Sequence, residues 1–327
     1  MATNTDDKGY RRMLSDRRNF CDFVKHHIIA PWTEQLDAES LELVNTRFVT
    51  KDFKGREADI IYRARIGNGD VVFYVHLELQ SEPDFTMPFR LLVYMTELLR
   101  RVFAETEDKA RRRKEFRLPA VVPIVLYNGS GKWGCVRSFK EYLAHHELFV
   151  PNVLDFEYIL FDINAPKDAV FLDAPTLVNL AMLADRKGEP ERVLRRLRKA
   201  LKASRRLTRD EQLQLGAWVS DVISRKIKAD RGTIEQIQDA FERKEAAHMT
   251  YALEKAIDEL ERRGTRKGRR EGRLEGERKG RLEGRLEGRL EAAMAMLDEG
   301  FPLETASKCS GIPADELAQH AAGRQRI

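Results

Sequence analysis

The segment Arg56–Gln80, READIIYRARI–GNGD–VVFYVHLELQ, constrains this chain more than any other stretch. Asn68-Gly69 is a strong two-residue hairpin signal, because both central positions of such a turn take positive φ. A turn there sets Ile66 opposite Val71, Ala64 opposite Phe73, Ile60 opposite Leu77 and Asp59 opposite Glu78. Side chains alternate between the faces of a strand. One face then carries Ala58, Ile60, Tyr62, Ala64 and Ile66 against Val71, Phe73, Val75, Leu77 and Leu79, a core face without charge. The other ends in Glu57, Asp59, Glu78 and Gln80. Two carboxylates directly opposed across a strand pair repel one another. Solvent exposure of both would make their meeting incidental, whereas a bridging hard cation such as Mg²⁺ would give it a cause. Acidic residues are depleted in strands, yet three gather at one end of this hairpin. The apolar context also reads as a sheet covered on part of both faces.

Composition narrows the classes. The 327 residues suffice for two domains or for one with extensions. With 42% hydrophobic residues the chain can build a core, and its net charge of +5 permits nucleic-acid binding without demanding it. Cys21, Cys135 and Cys309 are too few and too widely spaced for a disulfide framework or a zinc site. The sequence has neither a signal-peptide h-region nor an apolar run of membrane-spanning length, so a cytoplasmic protein without membrane association is expected.

Helical spacing runs from about Arg12 to Ile29, with Pro31 ending it. His26 and His27 lie within it. Adjacent helical residues point about 100° apart, so the pair is read as structural. After the loop Ser81–Asp84, a helix is expected from Pro88 to about Glu105, with Leu91, Met95, Leu98 and Val102 on one stripe and Arg90, Tyr94, Glu97 and Arg101 on another. The basic run Arg111-Arg112-Arg113-Lys114 precedes a strand at Ala120–Tyr127. Asn128-Gly129-Ser130-Gly131 then turns the chain. A helix near Phe139–His146 and a strand at Phe156–Ile163 complete an α/β layer structure with a mixed sheet. From Pro175 onward the pattern is helical, near Thr176–Asp185, Pro190–Lys202, Asp210–Lys228 and Ile234–Arg262.

Glycine recurs every fourth residue from Gly264 to Gly288. At 100° per residue that stripe drifts about 40° per step around a helix. Each glycine costs about 0.8–1 kcal/mol of helix propensity, partly offset by i,i+4 Arg–Glu and Lys–Glu pairs. Close helix–helix association, and with it a homo-oligomer, is one reading, and a semi-flexible helical linker is the favoured one. The tail Leu290–His320 divides into three short helices, the first ending at Gly300, the second running from near Pro302 to Gly311 and the third beginning with Pro313 in its first turn. They suit a docking module better than a helix-turn-helix reader, since Ala314–His320 contains no Lys or Arg.

Asp59, Glu78 and Gln80 place three oxygen-bearing groups on one face, the set that metal-assisted phosphodiester hydrolysis needs. Gln80 would orient water or phosphate, and Arg90, Arg101 and Arg111–Lys114 are candidates for the nucleic-acid backbone. The segments READIIYRARI, VHLELQSEPDFTMPFRLLVYM and LPAVVPIVLYNGSGKW, in this order, resemble the Rpn family of recombination-promoting nucleases, also described as transposases with a YhgA-like domain. The glycine-every-fourth tail is similar to that family too. The resemblance implies the PD-(D/E)XK superfamily, a restriction-endonuclease-like core and Mg²⁺-dependent DNA endonuclease activity that promotes recombination. It assigns metal binding to Asp59 and Glu78 and a catalytic role to Gln80, where the superfamily carries lysine. Glu57 is a further metal candidate from the register alone. Two positions depart from the pattern: Ala58 stands where the superfamily has proline, and Leu79 where the family usually has histidine. The domains expected are a nuclease-like core over 10–165, a helical extension over 166–262, the glycine repeat as a helical linker over 263–290 and a small helical module over 291–327. A non-catalytic DNA-binding or assembly protein of mobile-element origin is the alternative.

Overall fold

The computed structural model describes residues 5–45, 60–67, 71–227, 229, 232–233, 235 and 246–324. In chain order it contains α1 (Thr5–Leu14), α2 (Arg17–His27), β1 (Glu42–Leu43), β2 (Ile60–Ile66), β3 (Val71–Gln80), α3 (Met87–Glu105), α4 (Asp108–Arg111), β4 (Ala120–Tyr127) and β5 (Ile159–Asp162). Helices α5 (Asp168–Asp173), α6 (Leu177–Asp185), α7 (Pro190–Ala203), α8 (Arg209–Val222), α9 (Ala246–Asp298), α10 (Leu303–Ser310) and α11 (Ala314–Arg324) follow. Two compact units result, Met1–Glu259 and Leu260–Ile327.

The first unit is α/β, as its sequence pattern predicts. Its five-stranded sheet has the order β1-β2-β3-β4-β5. Strands β1, β2 and β3 pair antiparallel, and β3, β4 and β5 pair parallel, so the sheet is mixed. The hairpin register holds wherever it is described, with Ile60 opposite Leu77, Ala64 opposite Phe73 and Ile66 opposite Val71. Gly67 opens the turn at φ +60°, a conformation open to glycine. Asn68 and Gly69 lie outside the described residues.

Both faces of the hairpin are covered. On one, Ile60, Tyr62, Ala64, Phe73, Val75 and Leu77 are buried. Helix α2 packs there, with Phe20 4.3 Å from Tyr62 and Phe23 5.5 Å from Phe161 between ring centroids. On the other face, α3 lies across β3 and β4. Its Tyr94 and Leu98 pack with Ile61 and Tyr74, and its Met87 and Leu91 pack with Val125 and Tyr127. Pro88 suits the first turn of α3, where its missing N–H costs nothing. Burying Leu91 and Leu98 stabilises this layer by about 1.5–3 kcal/mol each. Helix α6 is buried along its whole length and packs against α2, α7 and α8.

The region read as one helix over Arg12–Ile29 is two. Asp16 interrupts it by accepting hydrogen bonds from the Arg18 and Asn19 amides at 2.9 and 3.1 Å, which starts α2 afresh. The helix expected at Phe139–His146 is absent, replaced by 3₁₀ turns at Lys140–Tyr142 and His146–Leu148. Asp155 takes hydrogen bonds from the Ser138 hydroxyl and the Lys140 amide, and His145 adopts φ +56°, which breaks helical continuity. Bonding to Ser138 and Lys140 lowers the Asp155 pKa to about 2. The last strand is shorter than expected, Ile159–Asp162, and α5 has no counterpart in the sequence reading.

In the second unit, the glycine tract is continuous α-helix within α9. The first of the three expected tail helices is the end of α9, and the other two are α10 and α11. Ala293, Ala306, Ile312 and Leu317 form a small core there, with Gly311 at φ +66° closing α10.

Candidate active site

The site builds from the carboxyl ends of the parallel strands. Alternation on β3 puts Tyr74, His76, Glu78 and Gln80 on the face that α3 covers, and the parallel register sets Val125 beside Glu78 and Tyr127 beside Gln80. Open sheets with parallel strands place ligands outside these ends. The loop after β4 approaches so closely that a Cβ on Gly129 would run into the Ser81 carbonyl and the Tyr127 ring. Glycine is required there by space.

Glu78 is fully buried. Its Oε1 accepts from His76 Nε2 at 2.8 Å, and its Oε2 accepts from Arg90 Nη2 at 2.9 Å. Arg90 extends the chain of charge, its Nη1 donating to Asp84 Oδ2 at 2.7 Å. Asp84 also accepts from the Thr86 amide at 2.9 Å and the Thr86 hydroxyl at 2.5 Å. Burial is the largest single influence and would pull the Arg90 pKa down, but the Glu78 charge, Tyr94 and the hydrogen bond to Asp84 together outweigh it and raise it, so the guanidinium is held firmly charged. Burial likewise would raise the Asp84 pKa, while hydrogen bonds from Thr86 and Arg90 more than offset that and lower it. His76 packs edge-on against Tyr94, and its Nδ1 has no hydrogen-bond partner among the described residues.

Of the predicted site residues, Glu78 and Gln80 share one face as expected, with Gln80 half-buried at the end of β3. Asp59 and Glu57 lie outside the described residues. Arg90 departs from its predicted role: it is buried and tied to Glu78 and Asp84, so its guanidinium is not presented to a nucleic-acid backbone. A carboxylate beside it makes that burial tolerable, which the helix stripe alone does not reveal. Arg101 pairs with Glu105 at 2.7 Å, and Arg111 pairs with Asp108 while lying over the Phe103 ring. Arg112, Arg113 and Lys114 are exposed.

His76 and Asp84 are not among the site residues expected from the sequence. Alternation alone could have found His76, two residues before Glu78 on the same strand face. The hard oxygens of Glu78 and Gln80 suit Mg²⁺ in kind. In charge, Glu78 is already answered by Arg90. Among the described residues no three His, Cys, Asp or Glu side chains converge as a metal site.

A second buried carboxylate lies at the end of α6. Asp185 Oδ2 accepts from the Tyr10 hydroxyl at 3.2 Å and from Asn128 Nδ2 at 3.1 Å, while Oδ1 pairs with Lys226 Nζ at 2.8 Å. It anchors the loop after β4 to α1, α6 and the turn following α8.

The family described as "Putative transposase, YhgA-like" matches residues 4–212, which include the whole sheet and the Glu78 cluster. The chain belongs to the YhgA-like transposase family. Curated relatives of this YhgA-like chain include the recombination-promoting nuclease RpnC of Escherichia coli K12, 28% identical over 39% of this chain and 40% of the relative. The recombination-promoting nuclease RpnD of Escherichia coli O157:H7 is 33% identical over 33% of this chain and 39% of the relative. A third, the inactive recombination-promoting nuclease-like protein RpnE of Escherichia coli K12, is 30% identical over 33% of each. The matches thus span two fifths or less of these relatives' lengths. No solved structure matches.

Proposed function

We propose that this YhgA-like chain is a Mg²⁺-dependent DNA endonuclease of the PD-(D/E)XK type that hydrolyses phosphodiester bonds and promotes recombination. The observation that carries the reading is Glu78, a fully buried carboxylate at the carboxyl end of β3, the central strand of the sheet, in a chain similar to proteins named recombination-promoting nucleases. Asp59 and Glu78 would hold the cation, with Glu57 as a further oxygen donor. When bound, Mg²⁺ supplies Lewis-acid polarisation of a phosphoryl oxygen and acidifies a coordinated water. Gln80 donates through its amide to water or phosphate, and His76 and Arg90 hold the Glu78 carboxylate in one orientation. Exposed Arg112, Arg113 and Lys114 supply charge for the DNA backbone, so binding weakens with salt.

The second reading, a non-catalytic DNA-binding or assembly protein, is favoured by two observations. Both oxygens of Glu78 already hold protein donors, and a relative of 30% identity is named inactive. Plasmid nicking separates the two. The nuclease reading expects nicking by the wild type in Mg²⁺, loss in EDTA, and a fall of at least about 100-fold in Asp59→Asn and Glu78→Gln. Equal nicking by wild type and both variants, or none by any with DNA binding intact, sinks it.

A further inference from the structure

The Asp84–Arg90–Glu78 chain joins two carboxylates through one guanidinium. Arg90 donates from Nη2 to Glu78 at 2.9 Å and from Nη1 to Asp84 at 2.7 Å. A Mg²⁺ ion sits about 2.1 Å from a carboxylate oxygen. On Oε2 of Glu78 it would lie within about 5 Å of the Arg90 nitrogen that the same oxygen now accepts from. Repulsion between a dication and a guanidinium at that distance far exceeds a tenfold change in affinity, even at an effective dielectric near 20. Arg90 and the cation therefore exclude each other at that oxygen.

We infer that Arg90 is a resident counter-cation of the site, displaced from Glu78 onto Asp84 when a divalent ion binds. The inference rests on the metal-dependent reading above. Three features of the site are suited to such an exchange. Glu78 is fully buried and needs a positive partner whenever no metal is present. Asp84 is less enclosed and already holds the other arm of the same guanidinium, so Arg90 can leave Glu78 without losing its acceptor. Thr86 fixes Asp84 through its amide and hydroxyl, which keeps the receiving carboxylate in place. His76 remains on Oε1 throughout and preserves the carboxylate orientation. Arg90 thus acts as a positioning residue that sets how strongly the site takes a metal.

The experiment is calorimetric titration with Mn²⁺ on full-length wild type, Arg90→Gln and the double variant Arg90→Gln/Glu78→Gln. Thermal unfolding in EDTA and in Mg²⁺ is measured on the same samples. Arg90→Gln is expected to bind Mn²⁺ at least about tenfold more tightly than wild type, and the double variant to lose that gain. It is also expected to melt below wild type in EDTA and to recover more than wild type when Mg²⁺ is added. If Arg90→Gln does not fold, Arg90→Met replaces it. Methionine removes the charge while filling much of the same space, so its Mn²⁺ affinity is expected above wild type. Equal or weaker Mn²⁺ binding by the folded variant, with wild type binding, overturns the counter-cation role alone. No Mn²⁺ binding by any protein overturns the metal-dependent reading and this inference with it.

Discussion

The two compact units use charge and glycine in opposite ways. In Met1–Glu259, charges are taken inside and matched: Glu78 with Arg90, Asp185 with Lys226, Arg186 and Arg196 with Asp168. Glycine there marks places where a neighbour occupies the space of a Cβ, as at Gly129 against Ser81 and Tyr127. In Leu260–Ile327, the repeat keeps its charges in solvent, with pairs such as Lys267–Glu271 at 3.8 Å and Arg273–Glu277 at 3.7 Å. Both run from base to acid along the helix, the weaker order. Nothing lies within 4 Å of a Cβ on any glycine from Gly264 to Gly288. Charge buried in a fold is specific to its partner, whereas charge on an open helix is nearly interchangeable.

The largest effect that sharpens this contrast is expected from Asp185→Ala. It leaves Lys226 without its buried partner and removes the acceptor of Tyr10 and Asn128, costing about 3–5 kcal/mol. The exposed-pair variant Glu271→Ala is expected to cost less than about 0.5 kcal/mol. Urea unfolding of both would break the comparison if the two losses were alike.

Alanine at the two kinds of glycine should act with opposite sign. Gly129→Ala has a backbone carbonyl in its way and should destabilise by about 1–3 kcal/mol. Gly276→Ala enters open space and should stabilise its helix by about 0.8–1 kcal/mol. Circular dichroism melts of the two variants give the signs directly. A loss at Gly276 would mean that the glycine stripe meets something.

The smallest effect depends on pH. Burial lowers the His27 pKa from 6.5, against the opposing hydrogen bond to Asn179 at 2.7 Å. The unfolded chain therefore takes up this proton first. Its stabilising contribution is complete above about pH 6.5 and declines as pH falls toward the lower folded pKa. The difference in unfolding free energy between wild type and His27→Gln should shrink from pH 7.5 to 5.5. No histidine lies between Gly264 and Gly288, so the repeat adds nothing of this kind. An unchanged difference would remove His27 from the account.

Much of the hairpin was legible in the chain. Alternation over Ile60–Ile66 and Val71–Gln80 and the Asn68-Gly69 signal led to the observed register, because each is a matter of neighbours within a few residues. Strand β4 was legible for the same reason. The helix expected at Phe139–His146 failed because Asp155, well downstream, captures Ser138 and Lys140. Glu78 could be named from its place in β3, but not its partners. Arg90 shares a helix stripe with Tyr94, Glu97 and Arg101, and only the packing of α3 across β3 turned it inward onto Glu78.

The sequence by itself determined the strand faces, the α/β pattern and the candidates Glu78 and Gln80, since propensity and periodicity are local properties of a chain. The tertiary structure decided that β3 and β4 run parallel, that α3 covers the acidic face, and that Tyr10, Asn128 and Lys226 meet at Asp185. Those partners lie far apart along the chain. A buried charge selects them by what comes within hydrogen-bond reach, and no short window of sequence records that distance.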